Sequence, residues 1–158
     1  MNDAQQTART ATQHGARSHP ASKPIRWAAD VVGMMREGAR VRLDYSARSL
    51  WRVDRMIEEL RREGTPWAAA ESVVRGFGAY AGEVIVRASG GDWVSSDGEL
   101  WVRTPDGRYW DPIDEARRSY AGDGSLRLLC LDALGDFAPA APTQSRPQGA
   151  PPPGPRSA

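Results

Sequence analysis

The sequence is poor in the side chains that most often carry chemistry. It has one cysteine, Cys130, and two histidines, His14 and His19. A single thiol excludes a disulfide framework and any zinc site built on paired cysteines. Both histidines fall in a polar N-terminal stretch with no hydrophobic pattern, which excludes a Ser-His-Asp triad inside the folded part. Lysine is nearly absent: Lys23 is the only one, and the other 20 basic residues are arginine. No stretch approaches the ~20 apolar residues of a membrane span. Residues 1–20 lack the apolar run of a signal peptide. Together these absences lead us to expect no membrane association, no metal, no cofactor and a reducing, cytoplasmic setting.

Charge narrows the field further. The chain has 21 basic and 20 acidic residues, net +1. Residues 22–137 are slightly acidic, net −2, while both ends are basic. Nucleic-acid binders draw most of their affinity from phosphate neutralisation by a basic face. A slightly acidic core lowers that expectation, and no nucleic-acid partner is expected.

What is present organises into one domain with two tails. Residues 1–21 and the proline-rich residues 138–158 have no apolar face with which to recover an ordering cost of ~1–2 kcal/mol per residue. Both are expected to be disordered. Pro152-Pro153-Gly154-Pro155-Arg156 formally matches a polyproline ligand, but the expected reading is a solubilising tail. Residues 22–137 are of ordinary single-domain size.

Apolar spacing then assigns elements. Ile25, Ala28, Val32 and Met35 predict a helix ended by Gly38. Ser46 is a good N-cap, flanked by Tyr45 and Leu50 in the positions of a hydrophobic staple. Leu50, Val53, Ile57 and Leu60 make the stripe of the helix that follows. Gly64-Thr65-Pro66 stops it and restarts the chain, predicting a helical hairpin. The second hairpin helix, with Val73, Phe77, Ala81, Val84 and Ala88 on one face, contains Gly76, Gly78 and Gly82. Each mid-helix glycine costs ~1 kcal/mol against alanine. Either close approach of another backbone or a kink that opens a crevice accounts for them.

After Gly90-Gly91 the period becomes alternating. Strands at 92–95, 100–103 and 108–110, separated by Asp97-Gly98 and Pro105-Asp106-Gly107, predict a three-stranded antiparallel meander. Asp111-Pro112 opens a helix, and Ser125 could cap a last one over 126–134, although Leu128-Leu129-Cys130-Leu131 could equally be a buried strand. The spacing of Leu126, Leu129, Cys130, Ala133 and Leu134 favours the helix. The fold class is therefore α+β, with an N-terminal helix, an antiparallel helical hairpin, a meander and one or two C-terminal helices.

Leu43-Asp44-Tyr45-Ser46 with Ser49-Leu50 and Asp54, followed by Gly78-Ala79-Tyr80-x-Gly82-Glu83-Val84-Ile85-x-Arg87 and Gly90-Gly91-x-Trp93, resembles a family of small bacterial domains of unknown function. The resemblance covers roughly residues 41–134. It implies the same helical hairpin and small sheet, and carries no activity with it.

The candidate ligand-binding set is Tyr80, Glu83 and Arg87, spaced three and four apart along one helix stripe. A phenol, a carboxylate and a guanidinium can hold a small polar or anionic ligand. The structural alternatives are an intrahelical Glu83–Arg87 ion pair with Tyr80 beside it, or a buried Glu83 that bonds loop amides near Gly90 and so fixes the helix–strand junction. Asp44 and Asp54 are not placed together by local geometry. Asp106, Asp111, Asp114 and Glu115 are explained by turns and caps rather than by metal binding. Six tryptophans are many for this length. Trp51, Trp67 and Trp101 lie off the cleanest stripes and form the candidate interaction surface, the alternative being a second core. With no nucleophile–base pair and no phosphate loop, the expected function is that of a non-enzymatic accessory domain that docks a protein partner.

Overall fold

A computed structural model of the protein describes residues 19–135. The expectations for the remainder of the two tails, including the polyproline match, lie outside the described residues.

The chain is α+β. A two-residue strand β1 (His19–Pro20) leads into helix α1 (Lys23–Met34). A wider turn of helix, Met35–Ala39, ends at Arg40, which takes up a left-handed conformation. A single tight turn, Ala47–Ser49, runs into α2 (Leu50–Arg62), and α3 (Trp67–Ser89) follows after Gly64. Strands β2 (Asp92–Ser96), β3 (Glu99–Arg103) and β4 (Tyr109–Trp110) come next, then α4 (Pro112–Ala121) and α5 (Leu126–Leu134).

Local chemistry accounts for the boundaries. The Ser46 Oγ accepts the Ser49 N–H at 3.2 Å, as an N-cap does. Asp111 Oδ1 accepts the Asp114 N–H at 2.9 Å, and Pro112 starts α4. Gly122 closes α4 at φ 94°, where a side chain would be strained. The Asp97-Gly98 hairpin has positive φ at both residues, the twist that matches antiparallel strands.

The predicted meander forms, with Trp93 opposite Val102 and Val102 opposite Trp110 on its inner face. The sheet gains a fourth strand. His19 and Pro20 pair with Ser95 and Val94, and the Ala21 N–H donates to the Trp93 carbonyl. No hydrophobic pattern announced this edge, whose pairing is made by backbone groups.

The centre of the molecule is α3. Residues 76–85 are buried on every side, so this is an interior helix rather than half of an isolated hairpin. The turn between α2 and α3 is as tight as expected, yet the broad neighbours of α3 are α1 and α4. Its glycines explain why. A Cβ on Gly76 would stand 3.0 Å from the Val31 Cβ of α1, and one on Gly78 would stand 2.7 Å from the Ile113 Cα of α4. Close approach is the reason for these glycines, and α3 continues unbroken through them. In α1 the predicted stripe holds at Ala28, which is fully buried, and at Val32 and Met35, which pack against the core, but Ile25 is 50% exposed. Pro24 and Val31 are buried beside Ala28 instead, so the face is shifted at the first turn, where Pro24 packs inward. In α2, Leu50, Val53 and Ile57 are fully buried as their spacing predicted. Each stabilises the fold by roughly 1.5–3 kcal/mol.

Candidate functional site

The loop before α2, the middle of α3 and the start of β2 meet in space. Asp44 Oδ1 accepts both the N–H and the Oγ–H of Ser46, at 3.1 and 2.6 Å. These bonds hold the Asp44 carboxyl below its usual range. The Ser49 hydroxyl donates to the Ser46 carbonyl at 2.7 Å. Its proton being spent there, it accepts from the Tyr80 hydroxyl at 2.6 Å. The Tyr80 oxygen in turn accepts the Tyr45 N–H at 2.8 Å. Burial pushes the Tyr80 phenol above its ordinary value.

The network continues past Tyr45. That residue has φ 59°, and its ring lies 4.9 Å from the Tyr80 ring. The staple position is thus occupied by an aromatic that turns towards α3. The Arg87 guanidinium sits 3.5 Å over the face of the Tyr45 ring, a cation–π arrangement. Arg87 Nε also donates to Glu83 Oε2 at a long 3.4 Å. Glu83 is 6% exposed, and its Oε1 accepts the Trp93 indole N–H at 2.9 Å. The loop before α2, the middle of α3 and strand β2 are therefore tied together by one run of side chains.

This arrangement divides the predicted ligand set. Tyr80 is fully buried, with its hydroxyl committed to Ser49 and Tyr45. Arg87 is committed to the Tyr45 ring and Glu83. Glu83 lines a cleft, a space of about 380 Å³ bordered by Ile25, Val86, Trp93 and Arg103, which Tyr80 and Arg87 do not border. Of the structural alternatives the Glu83–Arg87 ion pair forms, and Glu83 also ties the helix to the strand, through the Trp93 indole rather than through loop amides near Gly90.

The candidate tryptophans also separate. Trp67 is partly buried, its ring 5.2 Å from that of Tyr120. Trp101 is partly buried on the outer face of the sheet, opposite Val94. Trp51 is 47% exposed at the start of α2. It lines a groove of about 370 Å³ with Ala47, Arg48, Arg127, Cys130 and Leu131. Leu131 is 54% exposed, and Leu128, one turn earlier on α5, is 58% exposed. The sequence contained a signal for this pair: Leu128 and Leu131 are the two leucines left off the α5 stripe.

Asp54 fixes the angle at which α5 meets α2. Its carboxylate accepts the Ser125 hydroxyl at 2.6 Å and the Leu126 and Arg127 N–H groups at 2.9 and 3.2 Å. The first turn of α5 is thereby capped by a side chain of α2, across 71 residues of sequence. At the groove floor, Cys130 is buried beneath this junction, and desolvation pushes its thiol up to about 12. It is a packing residue there, its Sγ 3.6 Å from the Ala81 carbonyl oxygen.

Among the described residues, no group of three or more metal-binding side chains comes together. No described helix is long and apolar enough to cross a membrane. No family model, curated protein or solved structure matches the chain.

Proposed function

We propose that this protein is a non-catalytic docking domain that binds a protein partner through the face formed by α2 and α5. The observation that carries this reading is the meeting of Trp51 and Leu131 in one groove. Six large apolar side chains are exposed among the described residues; Trp51 and Leu131 line the same groove, and Leu128 lies one turn before Leu131 on α5. An exposed aromatic beside aliphatic side chains, with arginines at the rim, is the composition of an interface core. Exposed apolar patches of this kind mark interaction sites.

The reading with a small ligand held by Tyr80, Glu83 and Arg87 finds less support, because the hydroxyl and the guanidinium are already engaged by the fold. A buried thiol and an arginine-rich, cysteine-poor composition are consistent with work in the cytoplasm.

Affinity capture from the cells that make the protein tests the reading. Partners held by the intact chain should be lost with a Trp51→Ala, Leu131→Ser variant and kept with Tyr109→Ala, which removes an exposed aromatic elsewhere. Equal retention by all three proteins would refute it.

A further inference from the structure

We infer that the occupant of the α2–α5 groove is an acidic amphipathic helix of another protein. This rests on the docking reading above and adds the chemistry of the partner. Arg48 and Arg127 border the groove, and neither has an ion-pair partner among the described residues. Arg52 adds a third guanidinium, 5.5 Å over the Trp51 ring, with one N–H donated to the Arg42 carbonyl. The groove lining holds Arg48 and Arg127 and no acid. Asp54 and Asp44 keep their charge, but their carboxylates are turned to Ser125 and the α5 amides and to Ser46, outside that lining. Asp132, exposed beside Leu131 in the chain, is likewise not part of it. A surface with apolar floor and cationic rim selects an apolar anchor flanked by carboxylates, which guanidinium groups can grip in bidentate fashion.

The same charge argument sets aside two nearer occupants. A second copy would bring its own arginines against these. The chain's own ends, residues 1–18 and 136–158, each contain two arginines and one aspartate. Both are basic and do not complement the rim.

The shape favours a helix. The groove lies between the start of α2 and α5, and Leu131 lines it, with Leu128 one turn earlier on the same helix. A helix carrying apolar residues three and four apart packs into a furrow between two helices.

The test uses the full chain, isotope-labelled, and three synthetic helical peptides with one identical leucine-rich face. Their polar faces carry glutamate, glutamine or lysine. Binding is read from the Trp51 indole and the Leu128 and Leu131 methyl signals, with affinities from calorimetry at two salt concentrations. The glutamate peptide should bind at least tenfold tighter than the glutamine peptide and weaken with salt. An Arg48→Glu, Arg127→Glu protein, whose thermal midpoint should match the parent because both sites are at the surface, should reverse the order and prefer the lysine peptide. Equal binding of all three peptides at Trp51 would overturn the acidic partner and leave groove docking standing. No perturbation of Trp51, Leu128 or Leu131 by any peptide would overturn both. Concentration-dependent shifts of these signals without peptide would assign the groove to a second copy and contradict the inference.

Discussion

The Glu83 carboxylate accepts the indole N–H of Trp93 at 2.9 Å, with both side chains buried. Glu83 lies on the central helix and Trp93 on the strand that follows it, so this bond closes the corner between them. The Trp93 ring also fills the space beside Gly82, where an added Cβ would stand 2.1 Å from its Cζ2. Size and polarity are matched at one place: the glycine admits the ring, and the acid satisfies its nitrogen.

Removing the acid should destabilise the fold. Glu83→Ala strands a buried indole N–H and should cost about 2–3 kcal/mol. Glu83→Gln keeps an acceptor and should cost about 1 kcal/mol. Urea unfolding of both variants, combined with Trp93→Phe in a double-mutant cycle, should give a coupling of about 1–2 kcal/mol. Additive effects would show that the bond contributes nothing of its own.

The glycines of α3 should resist replacement, unlike a glycine elsewhere. Gly78→Ala and Gly82→Ala each gain ~1 kcal/mol of helix propensity. They push a methyl group into the α4 backbone or the Trp93 ring, so each should lose about 1–3 kcal/mol net. Gly33→Ala in α1 meets nothing within 4 Å and should stabilise by about 0.5–1 kcal/mol. Thermal unfolding of the three variants separates packing from propensity.

Asp54→Ala should loosen α5 specifically. Loss of a cap costs ~1 kcal/mol, and three charge-assisted acceptances raise this to about 2 kcal/mol. Amide exchange at residues 126–128 should quicken before that of α3. Because Asp54 sets the angle of α5, this variant should also weaken partner capture although it lies outside the groove.

Cys130 should be silent to alkylation by iodoacetamide at pH 8 and react only on unfolding. Its folded pKa, about 12, lies above the 9.0 of a free thiol. The stabilisation this represents is fully present below pH 9 and is lost as pH rises from 9 towards 12. Between those values stability should fall by about 1.4 kcal/mol per pH unit from this group. Cys130→Ala should flatten that part of the pH–stability curve.

Local patterns were legible where local forces decide. The α2 stripe, the Asp97-Gly98 turn, the Asp111-Pro112 and Ser125 caps and the switch from helical to alternating period all read directly from neighbours in the chain. Non-local partners did not. Pairing of His19 and Pro20 with β2 uses backbone groups, which every sequence has. That α3 is surrounded, rather than faced by a single partner, depends on how α1 and α4 settle against its glycines. Tyr80, Glu83 and Arg87 do share a stripe as their spacing requires, but their spacing says nothing of Ser49, Tyr45 and Trp93, which engage them. Trp51 stood out in the sequence. Its companion Leu131 is left off the α5 stripe in the sequence, but that it meets Trp51 in one groove depends on how Asp54 docks the start of α5 onto α2.

The docking face is tested most directly by photo-cross-linking from positions 51 and 131, with position 109 as control. A benzophenone side chain replacing Trp51 or Leu131 in the full-length protein should yield one shared adduct with a discrete cellular protein, and none from position 109. Adducts formed equally from all three positions, or from position 109 alone, would contradict the assignment of this face.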